Sequence, residues 1–277
     1  VTHGEKNRSL GGLVLVKKKG ILLVIVLFAA ILLTGCTETN VPITKDSTGF
    51  WNQFIVYPLS WLIIKIATLF PGSWGYGLSI ILITIVIRLI LLPLMINQIK
   101  SSRKMQLIQP ELEKLKKKYS SKDALTQKRL QEEQMLLLQK YDINPMSGCL
   151  PILIQLPILM GFYHAIIRTE EIRGSSFLWF SLAEVDFILP FIAGVTTYFQ
   201  QKAMMKGQNN NPQMAMLLVL MPIMIVIFSF MLPSALPLYW IVGNLFSIAQ
   251  SYFIKTPELA GLEKQTSVSG RQGGKKK

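Results

Sequence analysis

Five long apolar runs constrain this chain more than anything else in it, and the first of them contains an arginine. The runs cover residues 75–97, 146–167, 185–201, 214–232 and 236–254. Each is near the length of about 20 residues that a helix needs to cross the hydrocarbon core, the third once its flanks are included. Residues are 51% hydrophobic overall and the mean hydropathy is +0.41, beyond the range of ordinary soluble domains. The predicted fold class is therefore all-α: a polytopic membrane protein with five transmembrane helices. Within the first run, ILITIVIRLILLPL at residues 81–94 places Arg88 in apolar surroundings. A charge there costs about 2.5–3.5 kcal/mol on insertion scales, and such residues usually serve a function.

The charges between the runs set the predicted orientation. Residues 98–142 carry 11 basic and 6 acidic side chains, whereas residues 168–186 carry 2 basic and 4 acidic. Lys202 and Lys206 precede the fourth run, the turn at Pro233-Ser234 is uncharged, and the tail from Lys255 is again basic. Positive segments thus alternate with non-positive ones, which puts the mature N-terminus outside and the C-terminus in the cytoplasm. The net charge of +14 also suits anionic lipid or nucleic acid as a neighbour.

Ahead of the spans, VKKKGILLVIVLFAAILLTGC reads as a targeting segment. Lys17, Lys18 and Lys19 form a positive region, residues 21–33 an apolar one, and Leu33-Thr34-Gly35-Cys36 closes it. The apolar part is short for a span and right for a signal peptide. Its end resembles the lipobox of bacterial lipoproteins, which implies lipid attachment at Cys36; a plain anchor with a chance cysteine is the alternative. Residues 1–15 fit no targeting pattern, so 1–35 is predicted as upstream residues plus a lipoprotein signal peptide.

Residues 36–74 are predicted as an extracytoplasmic linker and an interfacial helix. Within residues 50–70, Trp51, Phe54, Ile55, Trp61 and Leu62 fall near one side at helical spacing, and Asn52, Gln53, Pro58 and Lys65 interrupt the run. That pattern suits an amphipathic helix lying in the outer interface. A sixth span here would put the basic segment outside.

Residues 98–145 are predicted to form a cytoplasmic helical hairpin. Met105, Ile108, Leu112, Leu115 and Tyr119 repeat at spacings of 3, 4, 3 and 4, giving one helix with an apolar stripe. Ser120, Ser121 and Asp123 supply a turn and an N-cap, and Asn144-Pro145 breaks the second helix. The hairpin is either a solvated element whose charges fix topology or a docking surface. Residues 146–254 hold spans two to five, and 255–277 form the basic cytoplasmic tail.

Polar residues in the runs suggest company for Arg88. Thr84 lies one turn earlier on its face. Gln155 is in the second run, Thr196, Thr197 and Gln200 (or its neighbour Gln201) are in the third, and Trp240, Asn244, Ser247 and Ser251 share a face of the fifth. No acid lies well inside any run. Arg88 is then either a structural arginine bonded to carbonyls and amides or an unpaired cation in a wet cavity that attracts a negatively charged guest.

Enzyme chemistry has no foothold. The sequence has no nucleotide phosphate loop, no H-E-x-x-H metal helix, and only His3 and His164, far apart. The two cysteines, Cys36 and Cys149, form no disulfide framework. Neither nucleotide nor cofactor nor metal is expected. The methionines around the fourth run read as adaptable packing, with a soft surface for apolar segments as the alternative.

Four stretches together resemble the YidC/Oxa/Alb family of membrane protein insertases in its short Gram-positive lipoprotein form. They are the arginine in ILITIVIRLILLPL, the basic hairpin with QPELEKLKKKY, the segment NPMSGCLPILIQLPILMGFYHAI, and LPLYWIVGNLFSIAQ. The resemblance covers residues 50–255. It implies five spans around a hydrophilic groove, with Arg88 attracting acidic flanks of a nascent client and Thr84, Gln155, Gln200, Trp240 and Asn244 lining the groove. It also implies nascent membrane proteins as substrates, the ribosome at the hairpin and basic tail, the Sec translocon as a partner, and the plasma membrane as location. A small anion channel or transporter is the main alternative, although no inverted repeat supports it. An intramembrane hydrolase ranks last for want of a nucleophile and base.

Overall fold

The structure, a computed structural model, describes residues 41–72, 74–143, 150–205 and 212–254. The expected signal peptide, Cys36, the break at Asn144-Pro145 and the tail at 255–277 lie outside the described residues.

The first element is a wide π-helical turn, Asn52–Val56, that continues into α1, Tyr57–Ala67. Val56, Ser60, Ile63 and Ala67 recur at helical spacing and are buried against α2 and α6, whereas Phe54, Trp61 and Leu62 are exposed. Trp51 departs from the expected stripe and is buried. The wider turn shifts its phase relative to the α-helix that follows.

The first expected span is not one straight helix. It comprises α2, Gly75–Ile90, and α3, Leu92–Leu107, bent by 64° at Leu91. Pro93, in the first turn of α3, has no N–H to offer the carbonyl of Leu89, and its ring crowds that carbonyl. Among the described residues no single helix is long and apolar enough to cross a membrane; this bent pair qualifies jointly. The stripe expected on one helix is also divided. The chain breaks at buried Ile108, ahead of Pro110, so Met105 lies on α3 while Leu112 and Leu115 lie on α4, Gln109–Lys118. Asp123 then caps α5, Ala124–Lys140, accepting from the Thr126 N–H at 2.8 Å.

The remaining elements are α6, Leu150–Arg168; α7, Glu170–Arg173; a two-stranded antiparallel hairpin, β1 Ser176–Phe177 and β2 Phe180–Ser181; α8, Leu189–Met204; α9, Pro212–Ser229; and α10, Ala235–Phe253. Helix α10 packs on α2, α6 and α8, and α9 packs on α8.

One end of the bundle is sealed by the β-hairpin. Phe177 lies against Gly77 so closely that a Cβ there would come within 2.2 Å of its ring. The Ser234 N–H donates to the Glu184 carbonyl at 2.8 Å and the Ala235 N–H to the Leu182 carbonyl at 3.0 Å, tying the segment after β2 to the start of α10. Ile63, Ile80, Phe162, Ile166, Leu182 and Leu236 form a fully buried core beneath it. At the opposite end, α3 reaches across the helix C-termini. The Gln106 Nε2 donates to the Met204 carbonyl of α8 at 2.9 Å, and Arg103 donates to the Ser251 and Ile254 carbonyls of α10, each at 3.4 Å. These bonds satisfy carbonyls that a helix end leaves open.

Candidate functional site

Arg88 occupies the last turn of α2, where three helices meet. The partial negative charge at a helix C-terminus favours a cation there. Its guanidinium turns toward α6 and α10. Nη2 lies 3.5 Å from the Gln155 Oε1, at the limit of a hydrogen bond, and Cζ lies 6.0 Å from the centre of the Tyr239 ring. Gln155 is the bridge, because its Nε2 donates to the Tyr239 hydroxyl at 2.7 Å. The Arg88 Nε is buried and has no hydrogen-bond partner among the described residues, and no carboxylate pairs with the guanidinium there.

A cavity of about 40 Å³ adjoins this group, lined by Arg88, Gln98, Gln155 and apolar residues including Leu91 and Met95. That is room for a water or two with polar partners, and far too little for a polypeptide segment.

The other residues expected near Arg88 divide by what their polar atoms do. Gln155 reaches the arginine. Thr84 is fully buried and its hydroxyl donates to the Ile80 carbonyl of its own helix at 2.6 Å. The Asn244 Nδ2 donates to the hydroxyls of Thr197 at 2.9 Å and Thr196 at 3.3 Å, joining α10 to α8. Gln200 is half-buried, with its Nε2 3.0 Å from the Met204 sulfur. Trp240 is half-buried and does not line the cavity. Sequence reasoning missed Tyr239, Gly243 and Gln98. Tyr239 and Gly243 are four apart on α10 and so share a face, a spacing visible in LPLYWIVG.

The α4–α5 hairpin is closed by two tyrosine–glutamate bonds. The Tyr119 hydroxyl donates to Glu133 at 2.6 Å and the Tyr141 hydroxyl to Glu111 at 2.8 Å, and Lys118 lies 3.4 Å from Glu133. The phenol of Tyr119, then the Lys118 charge, holds the Glu133 carboxyl below its ordinary range. Partial burial, then the bond to Glu111, pushes the Tyr141 phenol up to about 12. The Asp123 carboxyl is held low by the Ser121 hydroxyl and the N-cap bond from Thr126.

The family profile of the 60Kd inner membrane protein matches residues 65–260. The chain belongs to this family, that of the YidC membrane protein insertases. Family membership makes the helical bundle a polytopic membrane protein of the bacterial inner membrane. The chain is 54% identical over 266 residues to the membrane protein insertase MisCA of Bacillus subtilis, covering 95% of this chain and 100% of that one. It is 56% identical over 246 residues to the membrane protein insertase YidC 2 of Bacillus anthracis, covering 88% and 95%. Among solved structures, an active YidC insertase with its first transmembrane domain resolved is similar at a TM-score of 0.60 and 30% identity. That match covers 75% of this chain and 48% of the solved one, so this chain spans about half of that YidC structure.

Proposed function

We propose that this YidC-family protein is an insertase: it moves hydrophobic segments of nascent proteins from the cytoplasm into the bilayer, with Arg88 as a transient partner for acidic flanks. The observation that carries the reading is a guanidinium seated among α2, α6 and α10 without a carboxylate among the described residues. The names of the relatives favour insertion over a small anion channel or transporter.

The sealed β-hairpin end faces outside, and the end crossed by α3 faces the cytoplasm, in line with the charge alternation along the chain. Five spans, the first bent at Leu91, enclose a hydrated groove near Arg88. The groove widens beyond the small cavity beside Arg88 to admit the polar flank of a client, and the apolar segment runs along the lipid-facing side. Partition into lipid drives the segment, at about −0.3 to −0.6 kcal/mol for each strongly apolar residue at the helix centre. The membrane potential acts on the charge of the flank during crossing. No covalent bond changes, and no cofactor takes part. The basic hairpin and tail meet the ribosome, the Sec translocon shares some clients, and Cys36 carries the lipid that anchors the mature N-terminus outside.

The test is insertion of a single-span client with an acidic extracytoplasmic flank, in cells depleted of their own insertase. Arg88→Ala is expected to lose insertion of this client and Arg88→Lys to retain it, at equal abundance of the protein. Insertion by Arg88→Ala at the wild-type level would refute the charge-attraction role.

A further inference from the structure

We infer that Gly243 is the positioning residue that seats the Arg88 guanidinium at its depth in the bundle. The inference rests on the reading of Arg88 given above and extends it to a residue on another helix. Gly243 lies in the interior of α10, where glycine is less favourable than alanine because it loses more backbone freedom on folding. Something must need the missing side chain. A Cβ built at Gly243 would lie 2.5 Å from the Arg88 Nη2 and 3.1 Å from both Cζ and Nε. These are its three nearest neighbours, so the space left by the glycine is filled by the guanidinium. The other ties on Arg88 are loose: a 3.5 Å contact to Gln155 and a ring face at 6.0 Å. The seat on α10, more than any strong bond, therefore fixes where the charge rests.

The guanidinium is the far end of a flexible side chain, so an added methyl displaces it and leaves the helices in place. Arg88 is in the last turn of α2 with the cavity beside it, and a displaced arginine extends along that cavity toward the polar end of the helix. The charge then sits at a shallower depth and reaches less well for a flank that must cross. Lysine has no planar fork to lie in the seat, so Arg88→Lys removes the reason for the glycine.

The test uses the full chain in membrane vesicles with the neutral arginine reagent phenylglyoxal, following the adduct on Arg88 by mass spectrometry. In Gly243→Ala the modification rate is expected to rise severalfold over wild type, and the ratio of acidic-flank to neutral-flank client insertion to fall. Gly243→Ser is expected to follow Gly243→Ala, which guards against a fault peculiar to one variant. In the Arg88→Lys background, Gly243→Ala is expected to leave that ratio unchanged, whereas a purely structural glycine would alter insertion in both backgrounds alike. An unchanged modification rate overturns the seating of Arg88 by Gly243, and a raised rate with an unchanged client ratio overturns its consequence for insertion. Arg88→Ala run in parallel separates the two readings: if it keeps the acidic preference, the charge-attraction role fails, and the modification rate still decides whether Gly243 seats the arginine.

Discussion

Removing the Tyr239 hydroxyl tests the bridge beside Arg88. In Tyr239→Phe the ring keeps its shape and its face toward the guanidinium, and only the acceptor for the Gln155 Nε2 at 2.7 Å is lost. Two magnitudes bear on the cost. Interhelical hydrogen bonds in membrane proteins average about 0.6 kcal/mol, with a maximum of about 1.7 kcal/mol. A buried donor left unpaired costs about 1–3 kcal/mol. Gln155 is only half-buried and borders a cavity with room for water, so its freed N–H finds a replacement and the smaller figure governs. The expected destabilisation is about 0.6–1.7 kcal/mol.

The assay is unfolding by SDS titration in mixed micelles, run as a double-mutant cycle with Gln155→Leu. A coupling of about 0.6 kcal/mol is expected between the two sites. A coupling indistinguishable from zero would mean that the bond is not formed in the folded bundle. Client insertion supplies a second arm. Because the ring face and the glycine seat survive, Tyr239→Phe is expected to insert an acidic-flank client at close to the wild-type level. If it loses insertion at equal abundance, the orientation of Gln155 positions Arg88, and the ring and the glycine seat do not.

Gly77→Ala places a Cβ 2.2 Å from the inner atoms of the Phe177 ring, which cannot swing clear without moving β1, and is expected to cost about 1–3 kcal/mol by overpacking, read as a lower melting temperature in detergent. Gln106→Ala leaves the Met204 carbonyl without its donor and is expected to cost about 1 kcal/mol, read as faster amide hydrogen exchange in the last turn of α8. The hairpin bonds are pH-dependent with opposite signs. The Glu133 carboxyl titrates below its unfolded value of 4.5, so its contribution is present above that pH and is lost as pH falls through the lower folded value. The Tyr141 phenol is raised to about 12, so its contribution is complete below pH 10.0 and is lost as pH rises between 10.0 and about 12. The protection of α5 amides, taken relative to the intrinsic exchange rate at each pH, is expected to fall in acid for wild type and to be nearly insensitive to that acid step in Glu133→Gln.

Much of this arrangement was legible in the sequence because it follows from periodicity and charge. Arg88 and Gln155 stand out as polar residues in apolar runs, and the structure brings them together across 67 positions of chain. The bend at Leu91 was missed because apolarity continues across it: composition reports that residues 75–97 avoid water, while the single proline at 93 decides where the helix breaks. The same holds at Pro110, where an unbroken 3–4 repeat hides two helices. Trp240 was expected to line the groove and Tyr239 was not, because adjacent residues on a helix differ by about 100° in direction and the sequence does not set the zero of that angle. Thr84 and Asn244 stand out in the sequence as polar residues expected to line the groove, but a polar side chain in an apolar run faces a guest or is spent on its own helix, as Thr84 is, or on a neighbouring one, as Asn244 is, without any change in the pattern.

The looseness of the contacts around Arg88 suits a transient encounter. A unit charge pair at 4 Å is worth about 1 kcal/mol in water and about 4 kcal/mol at an effective dielectric constant of 20. An interaction of about 4 kcal/mol corresponds to a dissociation constant near 1 mM, enough to bias a tethered flank toward the site and too little to hold it there. The existing ties are weaker: a cation–π contact of about 0.5–2 kcal/mol and one long hydrogen bond. A client carboxylate can therefore compete for the guanidinium. Had a resident aspartate or glutamate paired with Arg88, breaking that buried pair would cost about 3–5 kcal/mol, which would cancel the attraction of the client. Holding the charge by a glycine seat and an aromatic face leaves it in place and available.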